Sequence, residues 1–152
     1  VGAVLMKSEI AQTLSGKLYF NTFGADPFQM IQARTTIDII RSEGLIENAR
    51  NMGALLMDGL KELQKKYSII GDVRGRGLLI GVELVEDPVS KAPATAACNR
   101  MMDQTKSQGL LIGKGGLYGN VLRIAPPLMI SRQDVSEILH AFEKALEVVS
   151  KT

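Results

Sequence analysis

Apolar residues along the chain switch between a helical and a strand period. Leu45, Ala49, Met52, Leu56, Leu60, Leu63 and Tyr67 recur at spacings of three and four. This is the strongest periodic signal present and predicts a long helix with one buried face. Val135, Ile138, Leu139, Phe142, Leu146 and Val149 give the last helix a second stripe, with Ser131 as its cap and Asp134 three residues on. Met30, Ala33, Ile37 and Ile40 line one face of an earlier helix. Asp26 caps that helix, Pro27 suits its first position, Gln29 completes a capping box, and Gly44 suits its C-terminal stop. A short helical stretch is expected near Ser8 to Leu14, and another helix from Thr95 to Ser107, ended by Gly109.

Between the helices the period shortens. Ile69 to Arg74 and Leu78 to Val85 predict two strands, with Gly75 and Gly77 at the bend and Asp87-Pro88 closing the hairpin. Leu110-Leu111-Ile112 and Val121 to Ile124 predict two more, the last stopped by Pro126-Pro127. The opening run Val1 to Met6 is apolar but short, with no basic stretch before it and no initiator methionine. It suggests a buried strand in the middle of a longer protein, so the chain is expected to be a fragment. The order of elements predicts an α+β domain with antiparallel strands and helices on one face, preceded by a remnant of another domain.

The composition is that of a globular protein: 152 residues, 45% hydrophobic and 22% charged. A net charge of +2 gives no electrostatic case for nucleic acid or an anionic membrane. No apolar run approaches the roughly 20 residues of a membrane helix. A single cysteine, Cys98, excludes an internal disulfide framework.

Several side chains invite chemistry, each beside a plainer explanation. Gly75 to Gly81 has the wrong spacing for a dinucleotide fingerprint, and Gly113 to Gly119 lacks the Lys-Ser/Thr pair of a P-loop, so both are expected to be turns. Arg123 interrupts an apolar strand just before Pro126. Its planar fork suits a carboxylate, but it can equally be an arginine facing water or paired with an internal acid such as Glu83. Thr22, in a loop ahead of a capped helix, can hold a phosphate oxygen or simply bond its own turn. His140 falls off the apolar stripe of the last helix, and without a second histidine there is no zinc set. Cys98, beside Met101 and Met102, is expected in the core.

Four segments, in order and at matching spacing, resemble the class III (ornithine-type) pyridoxal-phosphate (PLP) aminotransferases of fold type I. They are Val1-Gly2-Ala3-Val4; Tyr19-Phe20-Asn21-Thr22-Phe23-Gly24; Asp72 to Leu78 with Gly81-Val82-Glu83-Leu84; and Leu122 to Leu128. Within that family the mitochondrial alanine–glyoxylate branch is most similar, through Tyr19 to Gly24, Ile70 to Gly77 and the Gly113 to Gly116 loop. The resemblance implies PLP as cofactor and a dimer in which Thr22, with Phe23, serves the neighbouring subunit's PLP phosphate. It implies Arg123 as the grip on the α-carboxylate of amino and keto acid substrates such as alanine and glyoxylate, used in turn by a ping-pong route. It places the Schiff-base lysine upstream of Val1, so this chain is expected to be inactive alone, and it implies a mitochondrial parent whose targeting segment lies outside this sequence. It also implies a division into 1–26 as large-domain remnant, 27–68 as linking helices and 69–152 as the C-terminal small domain. The family loop usually continues Gly-Gly-Asn-Pro, where this chain has Gly24-Ala25-Asp26-Pro27, a departure that puts a negative charge near the phosphate. The competing expectations are a stand-alone α+β binding or interaction domain, and a class III enzyme acting on ω-amino groups.

Overall fold

The computed structural model describes residues 2–17 and 20–150. Val1 of the expected opening strand and Tyr19 of the threonine-loop likeness lie outside them. The chain forms two compact units, Val1–Glu43 and Gly44–Thr152.

The first unit holds α1 (Ser8–Ser15) and α2 (Pro27–Ser42). Asp26 caps α2, its Oδ2 accepting the Gln29 N–H at 3.0 Å, and Pro27 takes the first turn, where its missing N–H costs nothing. Only this half of the expected capping box forms, because the Asp26 N–H donates to the Phe23 carbonyl instead. One expectation fails here. Gly2 to Lys7 is exposed and forms no strand, since no strand of the described residues pairs with it. The apolar stripe of α2 is also uncovered, with Met30 and Ile37 well exposed.

The second unit is built on a four-stranded antiparallel sheet of order β1-β2-β4-β3: β1 (Ile70–Arg76), β2 (Leu79–Leu84), β3 (Gly113–Gly115) and β4 (Val121–Ile124). The third strand lies later than expected. Leu110 to Ile112 carry the apolar side chains but no ladder, and the glycine-rich run pairs with β4 in their place. Three helices, α3 (Leu45–Lys66), α4 (Thr95–Ser107) and α5 (Arg132–Val149), share one core with the sheet. Val73, Ile80, Val82, Leu84, Leu122 and Ile124 supply the buried face of the sheet, and Leu56, Leu60, Cys98, Met101, Phe142 and Leu146 the helical side. The alternating pattern of β2 and β4, buried on one side and open on the other, is that of a half-covered antiparallel sheet.

Local chemistry explains the joints. Gly44, the N-cap of α3, adopts φ +64, in the left-handed region that a residue with no Cβ takes most cheaply. Gly53 lets α3 press on the hairpin bend, since a Cβ there would lie 2.3 Å from the Gly77 backbone. Ser131 and Asp134 form the full reciprocal capping box of α5. Their two hydrogen bonds hold the Asp134 carboxyl below the ordinary range, the Ser131 backbone N–H contributing most.

Candidate functional site

The open face of the sheet collects the polar groups of the second unit in two rows. The strand registers put Arg74, Gly81, Arg123 and Gly113 side by side across β1, β2, β4 and β3. One step along, Asp72, Glu83, Val121 and Gly115 form the neighbouring row. Residues paired in register point to the same face, so all eight belong to the side away from the core.

Arg123 stands in this face with a glycine on either side. It is exposed and forms no ion pair among the described residues. Its guanidinium lies against Gly113, where a Cβ would sit 3.2 Å from both its Nε and one terminal nitrogen. A cavity of about 130 Å³ opens beside it, lined by Leu111, Gly113, Arg123, Ala125 and Pro126 among others. That is smaller than the ~300–1,000 Å³ of an ordinary ligand pocket. The chain therefore supplies one wall with a charged fork on it.

Glu83, the acid expected to compete for Arg123, is engaged elsewhere. Arg74 Nη1 donates to Glu83 Oε2 at 2.6 Å and to Asp72 Oδ2 at 2.8 Å. The bond to Asp72 and then that to Glu83 raise the pKa of Arg74, so its charge is fixed. Asn120, buried at 2% exposure, donates to the Leu84 carbonyl at 2.8 Å and reaches Glu83 Oε1 at 3.5 Å. This cluster was not legible in the sequence, because Arg74 and Glu83 meet only through the strand register; the motif Asp72-Val73-Arg74 was visible, its partner was not.

Thr22 and Phe23 lie in the first unit. Both are exposed in a turn from Thr22 to Ala25. Asn21 braces the turn, its carbonyl accepting the Gly24 N–H at 2.9 Å and its Oδ1 the Phe23 N–H at 3.3 Å. These bonds use the amides of Phe23 and Gly24 and leave the Thr22 hydroxyl outward, without a hydrogen bond among the described residues. Ala25 has φ +56, a left-handed conformation that glycine takes more cheaply. The position where the resembling loop has its second glycine is thus the one that asks for it. An outward hydroxyl ahead of a helix N-terminus fits a phosphate oxygen. Asp26 already takes the Gln29 amide at the start of α2 with its own carboxylate, so the threonine loop offers a further donor.

The remaining candidates are structural. Cys98 is fully buried, and burial pushes its thiol pKa up, which keeps it protonated and unreactive. His140 is exposed on α5. Lys7 and Lys17 are exposed at the two ends of α1. Among the described residues no group of His, Cys, Asp or Glu is placed to hold a metal, and no helix is long and apolar enough to cross a membrane.

Comparison with known proteins bears on this geometry. The family described as Aminotransferase class-III matches residues 1–146. A mitochondrial alanine–glyoxylate aminotransferase 2 homologue from Arabidopsis thaliana is 45% identical over 146 residues, which are 96% of this chain and 31% of that protein. The crystal structure of an aminotransferase from Bacillus anthracis superposes with a TM-score of 0.85 at 36% identity, covering 93% of this chain and 34% of that one. A PLP-bound amine transaminase from an uncultivated Pseudomonas species gives a TM-score of 0.80 at 29% identity, covering 89% and 30%. This chain spans about a third of the length of the curated relatives it matches.

Proposed function

This chain belongs to the class-III aminotransferase family, whose cofactor is pyridoxal phosphate, and from that premise we propose that it is the C-terminal part of a transaminase. The enzyme moves an amino group from an amino acid such as alanine to a keto acid such as glyoxylate. The observation that carries the reading is Arg123: a fork with no ion-pair partner among the described residues, on an open sheet face, with its competing acid tied up by Arg74. A carboxylate is the common feature of both substrates, and a guanidinium can take it through two parallel hydrogen bonds. One arginine then serves both half-reactions of a ping-pong cycle, holding the donor and later the acceptor in the same orientation.

Bound pyridoxal phosphate would supply the electrophile that accepts the amino group and the electron sink that eases loss of the α-proton. Within this chain, Thr22 would donate its hydroxyl to a phosphate oxygen and Phe23 would flank it, serving the neighbouring subunit of a dimer. Arg123 would bind and orient the substrate. The lysine that handles the proton would lie upstream of Val1, so residues 1–152 alone would be inactive. In this reading residues 1–26 are a remnant of the large domain, 27–68 link the domains and 69–152 form the small domain. The mitochondrial name of the Arabidopsis relative supports a mitochondrial enzyme.

The test is Arg123→Met in the full-length enzyme. Loss of a two-point charged contact lowers kcat/KM for alanine and glyoxylate by about 10²-fold, on the scale of one or two charge-assisted hydrogen bonds. Unchanged kinetics refute the role. A second reading, a class III enzyme acting on ω-amino groups, draws support from the similarity to the solved amine transaminase. A donor lacking an α-carboxylate that outcompetes alanine in the native enzyme would favour it.

A further inference from the structure

Glu83 lies in the strand between two arginines. In register it faces Asp72 on β1 and Val121 on β4, and each arginine is two residues further along its strand, Arg74 beyond Asp72 and Arg123 beyond Val121. Both are therefore diagonal neighbours of Glu83 on one face, at the ~7–8 Å separation that long side chains bridge. In the structure the charged contact of Glu83 is to Arg74, which holds its Oε2 at 2.6 Å, while the amide of Asn120, the residue before β4, approaches its Oε1 at 3.5 Å. Asp72 accepts from the same Arg74 Nη1 at 2.8 Å. Gly81, between Arg74 and Arg123 in the row, has no side chain to screen one from the other. Glu83 is partly buried, with 32% of its side chain accessible, so its charge needs a partner more than a surface carboxylate does.

We infer that Arg74 is a positioning residue that keeps Glu83 off Arg123, leaving the Arg123 fork free for a substrate carboxylate. This rests on the carboxylate-binding role proposed above for Arg123. Without Arg74, Glu83 turns to the other diagonal cation, where it both occupies the fork and repels the incoming carboxylate. Both carboxylates of the face thus go to one arginine, and the other is left for ligand.

The experiment uses the full-length holoenzyme and three variants: R74M, R74K and R74M/E83Q. Steady-state kinetics are measured with alanine and glyoxylate, beside Arg123→Met. In R74M the KM for both substrates rises about fivefold, the scale of one partly exposed ion pair, while kcat stays within about twofold. R74K keeps a cation beside Glu83 and stays near the native KM. R74M/E83Q removes the released charge and brings KM back. The rescue is the deciding readout, since a merely structural Arg74 gives a double variant no better than R74M. An unchanged KM in R74M, or a raised KM that E83Q does not restore, overturns the inference while leaving the role of Arg123 standing. If Arg123→Met itself leaves KM unchanged, the carboxylate role falls and the inference with it.

Discussion

Gly113→Ala brings one methyl group against the Arg123 guanidinium. Its Cβ would sit 3.2 Å from the Nε and from one terminal nitrogen, and 3.6 Å from the Cζ. Ordinary non-bonded contacts lie at ~3.5–4.0 Å, so the guanidinium must move by a few tenths of an ångström. A charge-assisted two-point contact is short and directional, and each bond in it is worth ~1.5–3 kcal/mol. Losing a fraction of one bond costs about 1 kcal/mol, which is roughly a fivefold rise in KM. Folding should not suffer, because Gly113 has an ordinary strand φ and alanine restricts the unfolded chain more than glycine does. Gly115 is the internal control: it lies on the same strand and face, and its Cβ would meet nothing within 4 Å. The assay is steady-state transamination by the full-length enzyme, with Tm measured alongside. The expected result is a raised KM for alanine and glyoxylate in Gly113→Ala only, with Tm unchanged or slightly higher. Equal effects of the two variants, or none from Gly113→Ala, would refute the geometry assigned to Arg123.

Three further outcomes are expected. Thr22→Ala, which removes the outward hydroxyl of the loop, weakens retention of PLP by about tenfold, on the scale of one charge-assisted hydrogen bond, measured by dialysis and cofactor absorbance. Gly53→Ala drives a Cβ into the Gly77 backbone; overpacking of ~1–3 kcal/mol outweighs the ~1 kcal/mol gain in helix propensity, and Tm falls by a few degrees. The Asp134 carboxyl is held below its ordinary range by Ser131, so its contribution to stability is complete above the unfolded carboxylate pKa and is lost as pH falls through the lowered folded value. Melting curves of the native protein and Asp134→Asn should therefore differ at neutral pH and converge in acid.

The sequence exposes most of the second unit because its signals are local. The three-and-four spacing from Leu45 to Tyr67 becomes α3, the Ser131/Asp134 pair becomes a complete cap, and Cys98 lies in the core as its neighbours Met101 and Met102 suggest. What depends on partners is less legible. β3 forms at Gly113–Gly115 against the apolar pattern, since β4 supplies the hydrogen bonds that a glycine-rich run does not advertise. The Met30 and Ile37 stripe is exposed: periodicity says only that a face exists, not what covers it. The same holds for the site: Arg123 can be singled out as a charge inside an apolar strand, whereas its isolation from Glu83 depends on a register between β1, β2 and β4 that no spacing along one strand encodes.

Membership of a PLP enzyme is tested most directly by borohydride reduction of the natively purified full-length protein, followed by intact mass and peptide mapping. The expected result is a PLP adduct on a single lysine N-terminal to Val1, with Lys7 and Lys17 unmodified. A native protein that carries no adduct, or one whose adduct maps to Lys7 or Lys17, would contradict it.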